Sequence, residues 1–208
     1  MDERPHKPAK FDPQVFENYG SGVDPAEMTA AASRAAHALL HHGRDSEDDA
    51  ITERLVTLTD DYGLSLLSEL WALSHPRTLP GALWRIYTLR AVINKEPDRV
   101  STYFQTGRSQ AEVSHAIAGV AEPASADEIV TMADAILTGA FDGDFAIALE
   151  RFGSFCRVVA VGQTTIADHR AYLEGIDASH LHQASQRLVR TAEDLEYCAQ
   201  LWRAGELR

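Results

Sequence analysis

The sequence has little cysteine and little lysine. Its two cysteines, Cys156 and Cys198, cannot supply the disulfide framework that holds together many small secreted domains. We expect both thiols to be buried and inert, because cysteine is among the residue types most often found in protein cores. Lysine occurs three times against 16 arginines, and this bias, with abundant alanine, aspartate and glycine, is typical of a GC-rich bacterial genome.

Long hydrophobic runs are missing as well. A transmembrane helix needs ~20 apolar residues, and no segment of the sequence reaches that length. No secretory signal pattern is recognisable, so we expect a cytoplasmic protein. Positive charge is also scarce, since the net charge is −12 and the sequence pI is about 5.1. General binding to a nucleic-acid backbone or to an anionic membrane is therefore not expected.

Common catalytic and nucleotide-binding motifs are absent. The sequence contains no phosphate loop, dinucleotide fingerprint, Gly-x-Ser-x-Gly elbow or paired-cysteine zinc motif. Residues 109–131 do not fit a DNA-reading helix-turn-helix, because Pro123 interrupts the second helix and its acidic start would face phosphates. No cofactor is implied. These absences favour a protein that is not an enzyme, without deciding the question.

Apolar residues recur at spacings of three and four, and no stretch alternates with period two. The pattern predicts an all-α fold of eight or nine helices, arranged as a single-domain bundle or a short stack of helical hairpins. Residues 1–24 are polar and punctuated by proline, which is typical of a flexible N-terminal arm, and the helical domain covers residues 25–208. The arm packs on the domain, is disordered, or forms a short docking turn through Phe11, Val15, Phe16 and Tyr19.

Several helix boundaries can be predicted from capping residues. Asp24 followed by Pro25 predicts the start of the first clear helix. A serine followed by glutamate three residues later is the spacing of a capping box, and it predicts helix starts at Ser109 and Ser125. We expect a break in the later apolar run at residues 162–165, which begin with a glycine.

The most apolar stretch, residues 64–94, predicts a helical hairpin at the centre of the core. Its second arm, from residue 80 to 94, is apolar on most of its circumference, as expected of a helix surrounded by others. Its first arm, from residue 64 to 74, carries apolar residues at helical spacing. These are Leu66, Leu67, Leu70, Trp71 and Leu73.

One short pattern occurs twice in the chain. The order Ala-Leu-x-Arg-apolar-x-(Thr/Ser)-apolar begins at Ala82 and again at Ala148, 66 residues later. An internal duplication of a helical hairpin is one explanation. The other is that alanine-rich amphipathic helices resemble each other by composition.

Two pairs of residues are candidate ligand sites. His37 and His41 lie four apart on one predicted helix, so they could bind Zn²⁺ or another transition metal together, or could simply belong to a solvated helix end. Arg85 and Arg90 lie on the most apolar helix. They could clamp a carboxylate or a phosphate, or they could pair with acidic residues nearby.

The last predicted helix, residues 177–204, carries an apolar stripe at the spacing of a coiled-coil seam. The stripe either closes the core of its own chain or forms a homodimer interface, in which Leu188, Leu195 and Trp202 would be interaction residues. Its full membership is Leu181, Ala184, Leu188, Thr191, Leu195, Cys198 and Trp202.

Three segments resemble a family of small all-helical actinobacterial proteins: RTLPGALWR at residues 77–85, GDFAIALER at 143–151 and FCRVV at 155–159. The resemblance covers about residues 25–162. It implies a helical fold and no particular activity. Some members carry labels that connect them with RNA polymerase, which implies a transcription-related partner, although no residue here resembles a catalytic polymerase motif.

Two functions remain open at this point. The acidic charge, the missing catalytic motifs and the N-terminal arm favour a non-enzymatic interaction or regulatory protein that presents an acidic helical surface to a protein partner. The alternative is a small-molecule or metal site between helices, enzymatic or not, that uses His37 and His41 or Arg85 and Arg90.

Overall fold

The computed structural model describes residues 24–45, 48–110, 125–175 and 177–208. In these residues the chain forms eight helices and no strand, so the predicted all-α fold is confirmed. None of the described helices combines the length and the apolar character that crossing a bilayer requires. Residues 1–23, which make up the predicted arm apart from Asp24, lie outside the described part of the chain. The helices are α1 (Pro25–Asp45), α2 (Asp49–Val56), α3 (Leu58–Trp71), α4 (Leu79–Lys95), α5 (Pro97–Gln110), α6 (Ala126–Asp142), α7 (Phe145–Glu174) and α8 (Ser179–Arg203).

Two of the three predicted helix starts are confirmed. Asp24 caps α1. At α6, the Ser125 hydroxyl accepts a 3.3 Å hydrogen bond from the Glu128 amide, and the Glu128 carboxylate accepts a 2.9 Å bond from the Ser125 amide, which is the predicted capping box. The start at Ser109 is wrong, because Ser109 lies inside α5 and its hydroxyl donates to the Thr106 carbonyl oxygen. The remainder of that predicted helix falls outside the described residues.

Helix α4 is the centre of the bundle, as predicted for the second arm of the hairpin. It packs against α1, α3, α5, α6, α7 and α8, and the Tyr87 hydroxyl donates a 2.7 Å hydrogen bond to the Leu55 carbonyl oxygen in α2. Leu83, Ile86 and Tyr87 are fully buried. Burial raises the pKa of Tyr87 well above its usual value, so its hydroxyl remains a hydrogen-bond donor.

The prediction for the first arm of the hairpin is only half right. Leu67 and Trp71 of α3 are buried, and the Trp71 indole donates a 3.1 Å hydrogen bond to the Ala32 carbonyl oxygen of α1. The other three predicted core residues are exposed, because α3 lies at the edge of the bundle and has α1, α2 and α4 on one side only. These residues are Leu66, Leu70 and Leu73.

Helix α7 runs without interruption through residues 162–165, so the predicted break there is wrong. Gly162 faces α5 at a point where a methyl group on its Cα would lie 1.8 Å from the Tyr103 carbonyl oxygen. On the α5 side, a methyl group on Gly107 would lie 1.9 Å from a backbone oxygen of α7. The two glycines allow the backbones to touch, and Gly162 is therefore a packing residue rather than a helix end.

The apolar stripe of α8 packs against α7 in the same chain. Leu195 and Cys198 are fully buried, and Leu188 and Trp202 are partly buried against the core. The Trp202 ring meets the Phe145 ring edge-on, with 5.0 Å between centroids. The stripe thus closes the core of its own chain, the first of the two alternatives. A homodimer through this helix stays a prediction.

Candidate interaction surface

Arg90, one half of the candidate anion clamp, is occupied by carboxylates of its own chain. Its guanidinium is 3% exposed and donates to both carboxylate oxygens of Asp60, at 2.9 and 2.8 Å. It also donates to Asp134 at 2.6 Å and to the Thr59 hydroxyl at 3.3 Å. Since Asp60 lies on α3 and Asp134 on α6, the arginine joins two helices to α4.

The charge on Arg90 is secure in this setting. Burial by itself lowers the pKa of the guanidinium, but the hydrogen bonds that it donates to Asp60 and Asp134 outweigh burial and raise the pKa above its usual value. A bidentate pair with one carboxylate and a third bond to another leave little capacity for an external anion. Of the two alternatives that the sequence leaves for Arg90, the structure therefore supports pairing with acidic residues of the same chain.

Arg85 is also engaged, although less tightly. Its guanidinium donates to the Gly81 carbonyl oxygen at 3.0 Å and lies 3.5 Å from a carboxylate oxygen of Asp194 in α8. Arg77 binds the other oxygen of the same carboxylate at 3.0 Å. A cavity of about 240 Å³ beside Arg85 is lined by Ala72, Ser74, Trp84, Thr88, Leu89 and Thr191, none of which carries a charge.

The two candidate metal ligands lie side by side on α1. The rings of His37 and His41 are nearly parallel, with 6.1 Å between centroids. Within the described ranges, no group of three or more His, Cys, Asp or Glu side chains is arranged to hold a metal ion. A structural zinc site almost always has four protein ligands, so this pair would need ligands from elsewhere. Metal binding by His37 and His41 stays a prediction.

The largest departure from the predicted core is an apolar strip along α3. Leu66 and Leu70 are one helical turn apart and are 45% and 42% exposed, and Leu73, in the turn after the helix, is 91% exposed. Met28, on the neighbouring α1, is 44% exposed. Single exposed apolar residues are ordinary, but adjoining ones on two helices form a patch of the kind that marks interaction sites.

Leu70 and Leu73 of this strip line a groove of about 200 Å³ between α1 and α3, which we call the α1–α3 groove. The bond from the Trp71 indole to the Ala32 carbonyl oxygen holds the two helices together at its base. One of the lining residues is charged, Glu69. The lining consists of Pro25, Met28, Thr29 and Ala32 from α1, and Glu69, Leu70, Leu73 and Ser74 from α3 and the turn that follows.

Two other depressions differ in chemistry. A cleft of about 480 Å³ between α2 and α6 carries four carboxylates, those of Asp49, Glu53, Asp134 and Asp142. Of these, Asp134 already binds Arg90. A groove of about 400 Å³ between α7 and α8 is crossed by the hydrogen bond between Thr164 and Ser185. Neither contains large exposed leucine side chains, as the α1–α3 groove does.

Sequence reasoning missed the groove because it assigned Leu66, Leu70 and Leu73 to the core. The available signal was that α3 carries more apolar residues than one buried face needs. Which of those residues stay uncovered depends on the number of neighbouring helices, and local sequence does not give that number. Comparison with protein-family models, with curated proteins and with solved structures finds no match for the chain. The actinobacterial family resemblance therefore stays a prediction.

Proposed function

We propose that this chain is a non-enzymatic interaction or regulatory protein that binds an apolar segment of a protein partner in the α1–α3 groove. The observation that carries the proposal is the exposure of Leu70 and Leu73 beside Met28, all three of which line the groove. Leaving such side chains in water costs free energy that a partner recovers, at roughly 25 cal/mol for each Å² of apolar surface that it covers.

The chemistry of the groove favours a peptide segment over a small metabolite. Its volume of about 200 Å³ is below the ~300–1,000 Å³ typical of small-molecule pockets. Its walls are two helices, and amphipathic segments commonly bind by placing one apolar face into a groove of this kind. Leucine and methionine side chains can repack around different apolar anchors, since methionine in particular is flexible and polarisable.

The net charge of −12 adds a preference for a partner whose binding segment has basic flanks. Complementary charge raises the association rate and disfavours acidic competitors more than it raises affinity. The family resemblance would place such a partner in transcription. That assignment rests on the resemblance alone.

The test compares how well three forms of the full chain capture protein partners. A thermal melt followed by circular dichroism first verifies, on a separate sample, that each form is folded. The wild type, a groove variant carrying Leu70→Ser with Leu73→Ser, and a control carrying Tyr172→Ser with Leu173→Ser are immobilised and exposed to lysate of the source organism. Tyr172 and Leu173 are exposed on α7, which does not contact α1 or α3, so they form a matched apolar pair elsewhere. Captured proteins are identified by mass spectrometry.

We expect a partner whose binding to the purified groove variant is at least ~10-fold weaker, a difference of ~1.4 kcal/mol, while the control binds like the wild type. Equal binding by the groove variant would refute the groove as the site. The metal or small-molecule alternative makes a different prediction: Zn²⁺ or an anionic metabolite would raise the melting temperature, and the effect would disappear with His37→Ala or Arg85→Ala.

A further inference from the structure

We propose that residues 11–19 of this same chain, FDPQVFENY, bind in the α1–α3 groove as an intramolecular ligand that a partner must displace. This inference deepens the proposed function and depends on the same groove. It identifies the chemistry that the groove recognises, which is a short segment with aromatic anchors separated by polar residues.

The first argument is proximity. The described chain begins at Asp24, and the first turns of α1 immediately line the groove through Pro25, Met28 and Thr29. Tyr19 precedes Asp24 by five residues, and a chain spans at most ~3.3–3.6 Å per residue, so Tyr19 can be no more than about 18 Å from Asp24. A tether this short gives an effective concentration in the millimolar range, at which even a weak segment is bound for much of the time.

The second argument is the pattern of the segment. The segment has four apolar residues, Phe11, Val15, Phe16 and Tyr19. The spacing of the last three would place them on one side of a helical turn, and Phe11 would precede that turn. The residues between them are polar, and two of them are acidic: Asp12, Gln14, Glu17 and Asn18, with Pro13. Because the chain as a whole is acidic, the segment is a weaker ligand than a partner segment with basic flanks, which can therefore displace it. Asp12 followed by Pro13 repeats the Asp24-Pro25 pair that starts α1, which is a pattern typical of a helix start.

The third argument is complementarity with the groove. Met28, Leu70 and Leu73 present aliphatic and thioether surface, which suits phenylalanine and tyrosine rings. The segment supplies two rings close together, Phe16 and Tyr19. Bound in this way, it removes from water Leu70 and Leu73, two of the leucines that the bundle leaves exposed, and no second molecule is required.

The consequence is a form of regulation. A protein partner competes with the segment, so its apparent affinity falls in proportion to the fraction of chains in which the groove is already occupied. Loss of the aromatic anchors from the segment would strengthen partner binding, whereas loss of the groove leucines would weaken it. The two changes act on one site in opposite directions.

A disulfide-trapping experiment tests the contact in the full chain. Asn18→Cys is combined with Ser74→Cys, which places one thiol in the segment and one at the groove rim while leaving every apolar anchor in place. The native thiols do not interfere, because both are buried and burial raises the pKa of Cys156 to about 12 and that of Cys198 to about 11. The matched control pairs Asn18→Cys with Ser179→Cys, an exposed position at the first residue of α8. Helix α8 contacts α1 through Trp202 and Arg44, at the opposite end from Ser179, and its backbone does not approach α3.

On mild oxidation of dilute protein we expect a monomeric, internally cross-linked product from the groove pair, at least fivefold more abundant than from the control pair. Cross-linked dimers in its place would show that a second copy occupies the groove, and they would overturn the inference. A yield equal to that of the control would overturn it as well.

A second readout uses the dye 1-anilinonaphthalene-8-sulfonate, which fluoresces on exposed apolar surface. Phe11→Ser with Phe16→Ser should raise its fluorescence severalfold, and adding Leu70→Ser with Leu73→Ser should remove the rise. No rise would contradict the inference. These outcomes can be distinguished from those of the proposed function. A cross-link without groove-dependent capture of a partner would refute only the partner. Groove-dependent capture without a cross-link would refute only the intramolecular ligand.

Discussion

Helices α3 and α4 are neighbours in the chain and both are rich in leucine, but other helices cover them to very different extents. Helix α4 contacts every other described helix, and its Leu83, Ile86 and Tyr87 are fully buried. Helix α3 packs through Leu67 and Trp71 on one side and leaves three leucines uncovered on the other. The comparison shows that a helix with few neighbours keeps some of its apolar residues uncovered, and these residues are available for binding.

The largest effect should come from truncating the covered helix. Leu83→Ala removes a fully buried side chain from α4, and because packed neighbours cannot close the cavity, we expect a loss of about 2–5 kcal/mol in the free energy of unfolding. Urea denaturation measures it. Leu70→Ala on α3 is the matched substitution and should cost less than ~1 kcal/mol. Similar costs for both would show that the two helices are covered alike.

A second prediction concerns the closest helix contact, between α5 and α7. Gly162→Ala should cost about 1–3 kcal/mol or more, because its methyl group would meet the Tyr103 carbonyl oxygen at 1.8 Å, and a backbone atom cannot move aside as a side chain can. Gly139→Ala is the control, since nothing lies within 4 Å of the position that its methyl group would take. That change should be neutral or stabilising by up to ~1 kcal/mol, because alanine favours the helix. Thermal melts of both variants decide the matter, and equal melting temperatures would contradict the close contact.

The third prediction concerns the tie between the edge helix and the central one. Arg90→Met removes the cation that joins Asp60 and Asp134, and we expect a loss of about 1–3 kcal/mol. The cost is moderate because both carboxylates are partly exposed and regain water when the arginine is gone. Arg151→Met is the matched control, since Arg151 forms no ion pair with a described residue, and it should change stability by less than ~0.5 kcal/mol. If both variants unfolded at the same urea concentration, the ion pairs of Arg90 with Asp60 and Asp134 would not stabilise the fold.

The features that local sequence could predict are those that depend on a few consecutive residues. The capping box at Ser125, the helix start at Pro25 and the all-round apolar character of α4 belong to this group. The errors arose where a distant segment decides the outcome. The sequence around Gly162 predicts a helix break, because the partner that explains this glycine, the Tyr103 backbone in α5, lies 59 residues earlier in the chain.

The alternative interpretations of the candidate sites could not be distinguished from sequence for the same reason. The sequence left two alternatives for Arg90, and the choice depends on Asp60 and Asp134, which are 30 and 44 residues away. The predicted duplication stays a prediction. Its paired leucines, Leu83 and Leu149, are both fully buried, as the shared pattern requires. However, Arg85 binds Asp194, whereas Arg151, the equivalent arginine, pairs with no described residue.

The smallest effect should come from the exposed face of α3, provided that nothing in the chain covers it. Leu73 is 91% exposed, so in a chain that already carries Phe16→Ser the further change Leu73→Ser should alter the free energy of unfolding by no more than ~0.5 kcal/mol. In the wild-type background the same change should cost slightly more, because a segment bound in the groove stabilises only the native state. The difference between the two costs is the coupling between Phe16 and Leu73, and urea denaturation of all four forms measures it. A cost above ~1 kcal/mol in both backgrounds would mean that some other part of the chain covers Leu73, and α3 would then be a core helix like α4.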